Sequence, residues 1–174
     1  MRITDRTMYA GEFDIGGWRL WLAKTDRGLC FVGSEEAWSH WRKKEDWVRD
    51  DEKLRVYAEQ LSEYMQGERT TFTLPLDADG TAFQQSVWKA LTEIPFGARV
   101  SYTDIANFIG KPSSVRAVGT AIGANPVLIV VPCHRVVGKN GTLTGFREGL
   151  EMKRHLLELE SRDGAGLGAG RMVK

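Results

Sequence analysis

The stretch Leu128–Gly138, LIVVPCHRVVG, places Pro-Cys-His-Arg between two apolar runs. Continuous apolar runs of this kind ask for burial. Any fold the chain adopts must therefore bring its core to both ends of a polar triplet. The run from Val127 to Val131 is expected to be a buried strand. Pro132 biases Val131 towards an extended conformation and ends regular pairing. Cys133 then sits where the chain emerges from the core.

A chain of 174 residues is long enough to bury about two-thirds of its unfolded surface, as one domain or a compact pair of subdomains. An apolar content of 42% with six tryptophans supports a substantial core. No run approaches the ~18 apolar residues that span a bilayer. The N-terminal MRITDRTMYAGEFD lacks the apolar stretch of a signal peptide, so a soluble, cytoplasmic protein without membrane contact is expected. Cys30 and Cys133 are the two cysteines, and neither has the close Cys or His spacing of a structural zinc site. A reducing compartment with a free thiol fits, and Cys30, inside GLCFVG, reads as a small buried hydrophobe. Residues 1–81 carry 12 Lys/Arg against 16 Asp/Glu, whereas residues 82–160 carry 9 against 6. The second half is the one a polyanion would prefer.

The pattern implies an α+β fold. Residues 1–80 form an N-terminal α/β subdomain with a small sheet, residues 81–160 a mostly helical subdomain containing a helix-turn-helix, and residues 161–174 a flexible glycine-rich tail. In the first part WRLWLAKT (18–25) alternates apolar and polar residues and pairs with GLCFVG (28–33) as a hairpin. A tryptophan-punctuated helix over 35–47, a second helix from about Glu52 to Met65, and an edge strand at TTFTLPLD (70–77) complete it. In the second part a helix over 82–93 precedes SYTDIANFIG (101–110) and SSVRAVGTAIGAN (113–125), two short helices around a tight Lys-Pro connection. A last helix runs from Leu150 to about Glu160.

The helix over 113–125 is rich in small residues, and each interior glycine gives up about 1 kcal/mol relative to alanine. Either another helix packs tightly against it or a nucleic-acid groove receives it. Arg116, a lone cation among small neighbours, suits phosphates or bases. A cysteine nucleophile needs a nearby base or positive charge. His134 is adjacent to Cys133, but neighbours on an extended chain point to opposite sides. Contact between them requires a bend or a bridging water. Glu160 is a candidate to hold the other nitrogen of His134, or it is an ordinary solvated helix end.

VPCHRVVG resembles the active-site signature of the O6-alkylguanine-DNA alkyltransferases. FQQSVWKALTEIPFGARVSYTDIA (83–106), SSVRAVGTAIGANP (113–126) and LTGFREGLEMKRHLLELE (143–160) fall in that family's order and spacing. The resemblance covers nearly all of residues 82–160 and is only general in the first half. It implies DNA repair by direct reversal of alkylation damage. O6-alkylguanine, with O4-alkylthymine as a second candidate lesion, is flipped out of double-stranded DNA, and its alkyl group passes once and irreversibly to Cys133.

The same resemblance assigns roles. His134 helps to deprotonate Cys133 through a water, and Glu160 orients His134. Tyr102 donates a hydrogen bond to the departing guanine. Arg116 fills the gap in the base stack, while Ser114, Val115, Ala117 and Gly119 belong to the helix that enters the minor groove. Asn125 is the hinge that ties that helix to the active-site turn, and Phe146, Arg147 and Val136 belong to the base pocket. Arg135 is read as a brace of the loop. Phe146 stands where tyrosine is common in the family, so stacking survives and a phenolic hydrogen bond does not. Many relatives carry small residues where this chain has Arg147-Glu148; a large adduct meets a bulky charged pair there, whereas a contact through backbone amide is unaffected. No metal and no organic cofactor are expected, and a monomer suffices, in the cytoplasm and on the nucleoid when bound to DNA. Two other readings share some of these features. A lesion sensor flips the base without accepting its alkyl group, and a Cys-His hydrolase turns over repeatedly on a small substrate.

Overall fold

The structure is a computed structural model that describes residues 7–42 and 46–161. The tail expected over 161–174 lies, beyond Ser161, outside the described residues. The described residues fall into two compact units, one made of those up to Asp79 together with Pro126–Leu128, the other of Gly80–Asn125 and those from Ile129 to Ser161.

Turn chemistry sets the topology of the first unit. Strands β1 (Met8–Ile15) and β2 (Trp18–Lys24) are joined by Gly16-Gly17, with φ of 61° and 87°. A two-residue type I′ hairpin loop, whose twist matches that of the strands, needs positive φ at both positions. β2 pairs on its other side with β3 (Leu29–Gly33), and β4 (Trp47–Arg49) runs parallel to β1, giving the order β3-β2-β1-β4. The sequence pattern announces β2 and β3 but not β1. At Gly11 an apolar side chain is missing because helix α2 (Asp51–Met65) occupies the space: an added Cβ would sit 2.6 Å from Asp51 Oδ1. α2 buries Leu54, Tyr57, Leu61 and Tyr64 and packs on β1 and β2.

The opposite face of the sheet carries an aromatic cluster. Phe31 of β3 and Trp21 of β2 meet Trp38 of helix α1 (Glu35–Trp41), Trp21 and Trp38 being stacked with centroids 5.4 Å apart. The Ser34 side chain accepts from Ala37 N–H and caps α1, and Trp21 Nε1 donates to Glu35. The helix expected over 35–47 is therefore too long, with residues 43–45 outside the described residues. Trp47 reaches the same cluster from a strand, edge-on to Trp21 and Trp38 at 5.8 and 5.3 Å. An indole buries equal area from either backbone, so tryptophan spacing alone reads as helix.

TTFTLPLD is not a strand either. It makes one bridge, Leu29 to Leu76, with Leu29 N–H donating to Pro75 O and Asp77 N–H to Leu29 O. Pro75 has no N–H to extend the ladder. The approach is close at Gly28, where a Cβ would lie 2.5 Å from Pro75 O.

In the second unit two helices start with reciprocal capping boxes, Thr81 with Gln84 for α3 (Ala82–Thr92) and Ser101 with Asp104 for α4 (Tyr102–Phe108). Both satisfy backbone N–H groups that a helix start leaves without partners. α5 (Val115–Gly123) follows and packs against α3 and α4, burying Val118, Ala121 and Ile122. Trp88 Nε1 of α3 donates to Ala121 O at 2.8 Å. The pair α4–α5 is the helix-turn-helix. Two-residue strands β5 (Val100–Ser101) and β6 (Val136–Val137) pair in parallel, and α6 (Leu150–Ser161) ends the described chain.

The strand expected over 127–131 is also absent. Val127 makes one parallel bridge to Val32 in the first unit, and the chain then turns, with Ile129 at φ 71°. The run is buried as expected. Burial explains its composition, and short apolar runs do not distinguish a strand from a buried turn. A β-branched residue with positive φ is a strained conformation, costing about 1–3 kcal/mol. No helix among the described residues is long and apolar enough to cross a membrane.

Candidate active site

Cys133, His134 and Arg135 form one turn of 3-10 helix, all three buried. The extended geometry expected at Cys133-His134 is thus replaced by a bend. At about three residues per turn, successive side chains are rotated by roughly 120° instead of facing opposite ways.

Glu160, near the end of α6, is buried and not solvated. Its Oε2 lies 2.7 Å from His134 Nε2 and accepts from Arg135 Nη2 at 2.9 Å. Its Oε1 accepts from Arg135 Nε at 2.9 Å and from Gly97 N–H at 3.3 Å. Arg135 also donates Nη1 to Ile94 O at 2.7 Å. The brace foreseen at Arg135 is therefore a bidentate pair with the carboxylate that also holds His134. Burial alone would raise the Glu160 carboxyl, but the bonds from His134 and Arg135 hold it well below the usual carboxylate range.

An ionised carboxylate only accepts, so His134 donates through Nε2–H, and the neutral ring carries its lone pair on Nδ1. Burial pushes the His134 pKa down, against the hydrogen bond to Glu160 that raises it. Arg135 already neutralises that carboxylate, so a proton on His134 would be a surplus buried charge.

Burial likewise pushes the Cys133 thiol up, while a hydrogen bond from the Asn125 side chain and the charges of Arg147 and Lys153 pull it down. The resting thiol is protonated, with positive groups at hand for the thiolate. Asn125, buried just past α5, also donates Nδ2 to Val131 O at 3.0 Å, and its own carbonyl accepts from Arg147 Nη1 at 3.1 Å. Arg147 Nε pairs with Glu148 at 2.9 Å. The charged pair is thus folded back onto the protein. Phe146 beside it is half-buried.

Tyr102 opens α4, with its hydroxyl 3.0 Å from Thr144 Oγ1. Val136, in β6, is buried, and its carbonyl accepts from Lys153 Nζ at 2.7 Å. Lys153 is 1% exposed and donates also to Thr144 O at 2.6 Å and Gly145 O at 3.3 Å. Burial lowers its pKa to about 8. Sequence reasoning passed over Lys153. Its signal was position: it shares the buried stripe of α6 with Leu156, Leu157 and Glu160 at helical spacing, where a lysine needs acceptors.

The outer face of α5 presents Arg116, Ala117, Thr120 and Gly123, all exposed. Arg116, Ala117 and Thr120 line an open groove with Ser114 and, across it, Phe83 and Gln84. Val115 is half-buried at the helix start. Tight internal packing does not account for the glycines. A Cβ on Gly123 would meet nothing within 4 Å, and one on Gly119 would touch the Tyr102 ring at an ordinary 3.7 Å.

A buried cysteine turn backed by a histidine–carboxylate pair, in the same unit as a helix-turn-helix whose outer face sets Arg116 among small residues, fits the class of DNA-binding proteins that carry a nucleophile of their own. Comparison with known proteins agrees. Residues 8–78 match the model of the 6-O-methylguanine DNA methyltransferase ribonuclease-like domain, and residues 82–162 that of the 6-O-methylguanine DNA methyltransferase DNA binding domain. An inducible methylated-DNA–protein-cysteine methyltransferase of Bacillus subtilis is 51% identical over 170 residues, covering 93% of this chain and 95% of the relative. A methylated-DNA–protein-cysteine methyltransferase of Methanosarcina acetivorans is 42% identical, over 88% of this chain and 98% of its own. Among solved structures, the Mycobacterium tuberculosis enzyme in complex with DNA superposes with a TM-score of 0.80 at 41% identity, covering 90% of this chain and 93% of that one. The chain belongs to the O6-methylguanine-DNA methyltransferase family.

Proposed function

We propose that the protein repairs double-stranded DNA by moving the alkyl group of O6-alkylguanine onto Sγ of Cys133, once per molecule. Residues 81–160 carry both DNA binding and alkyl acceptance. The observation that carries this reading is the His134–Glu160 pair at 2.7 Å directly beside a buried, protonated cysteine. It leaves the lone pair of His134 on Nδ1, ready to take the thiol proton through a water molecule.

The helix α5 enters the minor groove, where its small outer residues let the backbone approach the groove floor. The damaged nucleotide rotates out of the stack at a cost of a few kcal/mol, least for a weakened pair, and Arg116 fills the space it leaves. Asn125 steadies the turn from the end of α5, and Phe146, Val136 and Arg147 border the extruded base. The thiol proton passes to His134; Arg147 and Lys153 stabilise the thiolate. Sulfur then attacks the alkyl carbon, the C–O6 bond breaks, and guanine departs with its electron pair while Tyr102 donates a hydrogen bond to it. The thioether that forms is not reduced as a disulfide is, so the protein acts stoichiometrically, as a monomer, in the cytoplasm and on the nucleoid. O4-alkylthymine presents the same type of carbon and is the second candidate lesion.

Intact-mass measurement after incubation with duplex DNA containing O6-methylguanine tests the reading. One methyl is expected on Cys133, and none on a Cys133→Ser variant that still binds the duplex. Binding without a mass change would make the protein a lesion sensor, and indifference to the DNA would leave a Cys-His hydrolase.

A further inference from the structure

The Tyr102 hydroxyl lies 3.0 Å from Thr144 Oγ1 and 3.5 Å from Thr144 O. A hydrogen bond between solvent-facing groups contributes little when either partner is free to move, but here the backbone that carries each partner is anchored. Tyr102 is the first residue of α4, whose start is locked by the Ser101–Asp104 capping box. The Thr144 carbonyl accepts from the buried Lys153 ammonium at 2.6 Å, a charge-assisted bond of the stronger kind. The Thr144 methyl faces Gly138, where a Cβ would lie 3.6 Å from Thr144 Cγ2. The threonine hydroxyl is thereby aimed at the phenol.

Both hydroxyls are donors and acceptors. When the phenol turns its O–H towards a leaving base, its oxygen gains negative character and becomes the better acceptor. A hydroxyl donating to that oxygen strengthens the bond the phenol makes. We propose that Thr144 is a positioning residue for alkyl transfer: its Oγ1–H donates to the Tyr102 oxygen and orients the phenol towards the departing base. No bond to Thr144 forms or breaks, and its proton stays in place. The inference rests on the assignment of Tyr102 as the donor to that base.

Single-turnover transfer from a duplex bearing O6-methylguanine, at saturating DNA, is the measurement, with duplex affinity followed separately. Thr144→Val keeps the branched shape and removes the hydroxyl; Thr144→Ser keeps the hydroxyl and removes the methyl. One net hydrogen bond corresponds to about a fivefold to tenfold change in rate. Thr144→Val is expected to slow transfer by about that factor, with Thr144→Ser, which keeps the donor but loses the methyl that helps to aim it, slowed clearly less than Thr144→Val and affinity unchanged in both. In a Tyr102→Phe background, Thr144→Val should cause no further loss. A wild-type rate for Thr144→Val overturns the inference, as does equal slowing by the serine variant or a full additional loss in the Tyr102→Phe background. If Tyr102→Phe alone reacts at the wild-type rate, the Tyr102 assignment fails first, and that result is distinct from a failure at Thr144.

Discussion

Glu160 holds one negative charge and four hydrogen-bond donors in a site with no water-facing side. Replacing it with glutamine keeps the volume and removes the charge that Arg135 and His134 share. Arg135 is then a buried cation without its counterion, and the amide NH2 faces a donor it cannot accept. Breaking a buried pair from one side costs about 3–5 kcal/mol. Glu160→Gln is expected to lose stability on that scale in a denaturant titration, and to transfer alkyl groups slowly even in the folded fraction, because the His134 tautomer is no longer set. A folded stability within about 1 kcal/mol of the wild type would mean that Glu160 is not the counterion of this turn. The carboxylate was legible in the sequence as a candidate partner for His134. Its bond to Arg135 was not, because Arg135 and Glu160 are distant in sequence and meet only through packing of α6. Lys153 and Thr144 were less legible still, since their partners include backbone carbonyls, which every residue carries.

At the scale of elements, α5 separates what a helix needs from what its partner needs. Gly123 lowers helix stability, yet a methyl there would meet nothing within 4 Å, so the protein itself does not require glycine. Gly123→Ala should therefore leave stability unchanged or raise it by up to about 1 kcal/mol. Ala117→Leu, on the same exposed face, should also fold normally, because the added side chain projects into solvent. In duplex binding measured by fluorescence anisotropy, the added bulk of Ala117→Leu is expected to weaken affinity by about tenfold, in line with overpacking costs of 1–3 kcal/mol. Undiminished affinity would remove the DNA groove as the reason for the small residues. The helices were readable because caps, periodic apolar positions and Gly/Pro stops agree over several turns. The elements that escaped or were misread have no such redundancy. β4, β5 and β6 are two or three residues long, too short for an alternation to show, and the alternation of the longer β1 is broken at Gly11, where α2 leaves no room for a side chain. TTFTLPLD meets β3 through a single bridge and keeps Leu76 exposed, so its alternation is not that of a paired strand, whereas VLIVV is apolar because it is buried while turning through Ile129.

For the whole molecule, the buried ionisable groups make stability a function of pH, and the sign follows from which state holds the proton. Below its ordinary value of 6.5 His134 charges in the unfolded chain before it does in the native one. Glu160 likewise takes up its proton, and loses its charge, in the unfolded chain first, below 4.5. The unfolded state binds more protons throughout that range, so stability falls as pH falls. Lys153 acts in the same sense on the alkaline side. In the native protein it gives up its proton at about 8, whereas in the unfolded chain it keeps it to its ordinary 10.5. Between these values the unfolded state again holds the extra proton, and stability must rise with pH, by at most about 1.4 kcal/mol per unit. Cys133 opposes this only above its ordinary 9.0, because burial raises its native value and the folded state keeps the proton longer. The window from about pH 7.5 to 9 therefore reports on Lys153. Denaturant midpoints in that window should correspond to a gain of about 1 kcal/mol, allowing for partial screening. A Lys153→Met variant, which keeps the buried chain and has no proton to lose, should show a flat profile there. A flat profile in the wild type would mean that the three carbonyls of Val136, Thr144 and Gly145 hold the ammonium as well as water does. The link between burial and a weakened proton at position 153 would then be wrong.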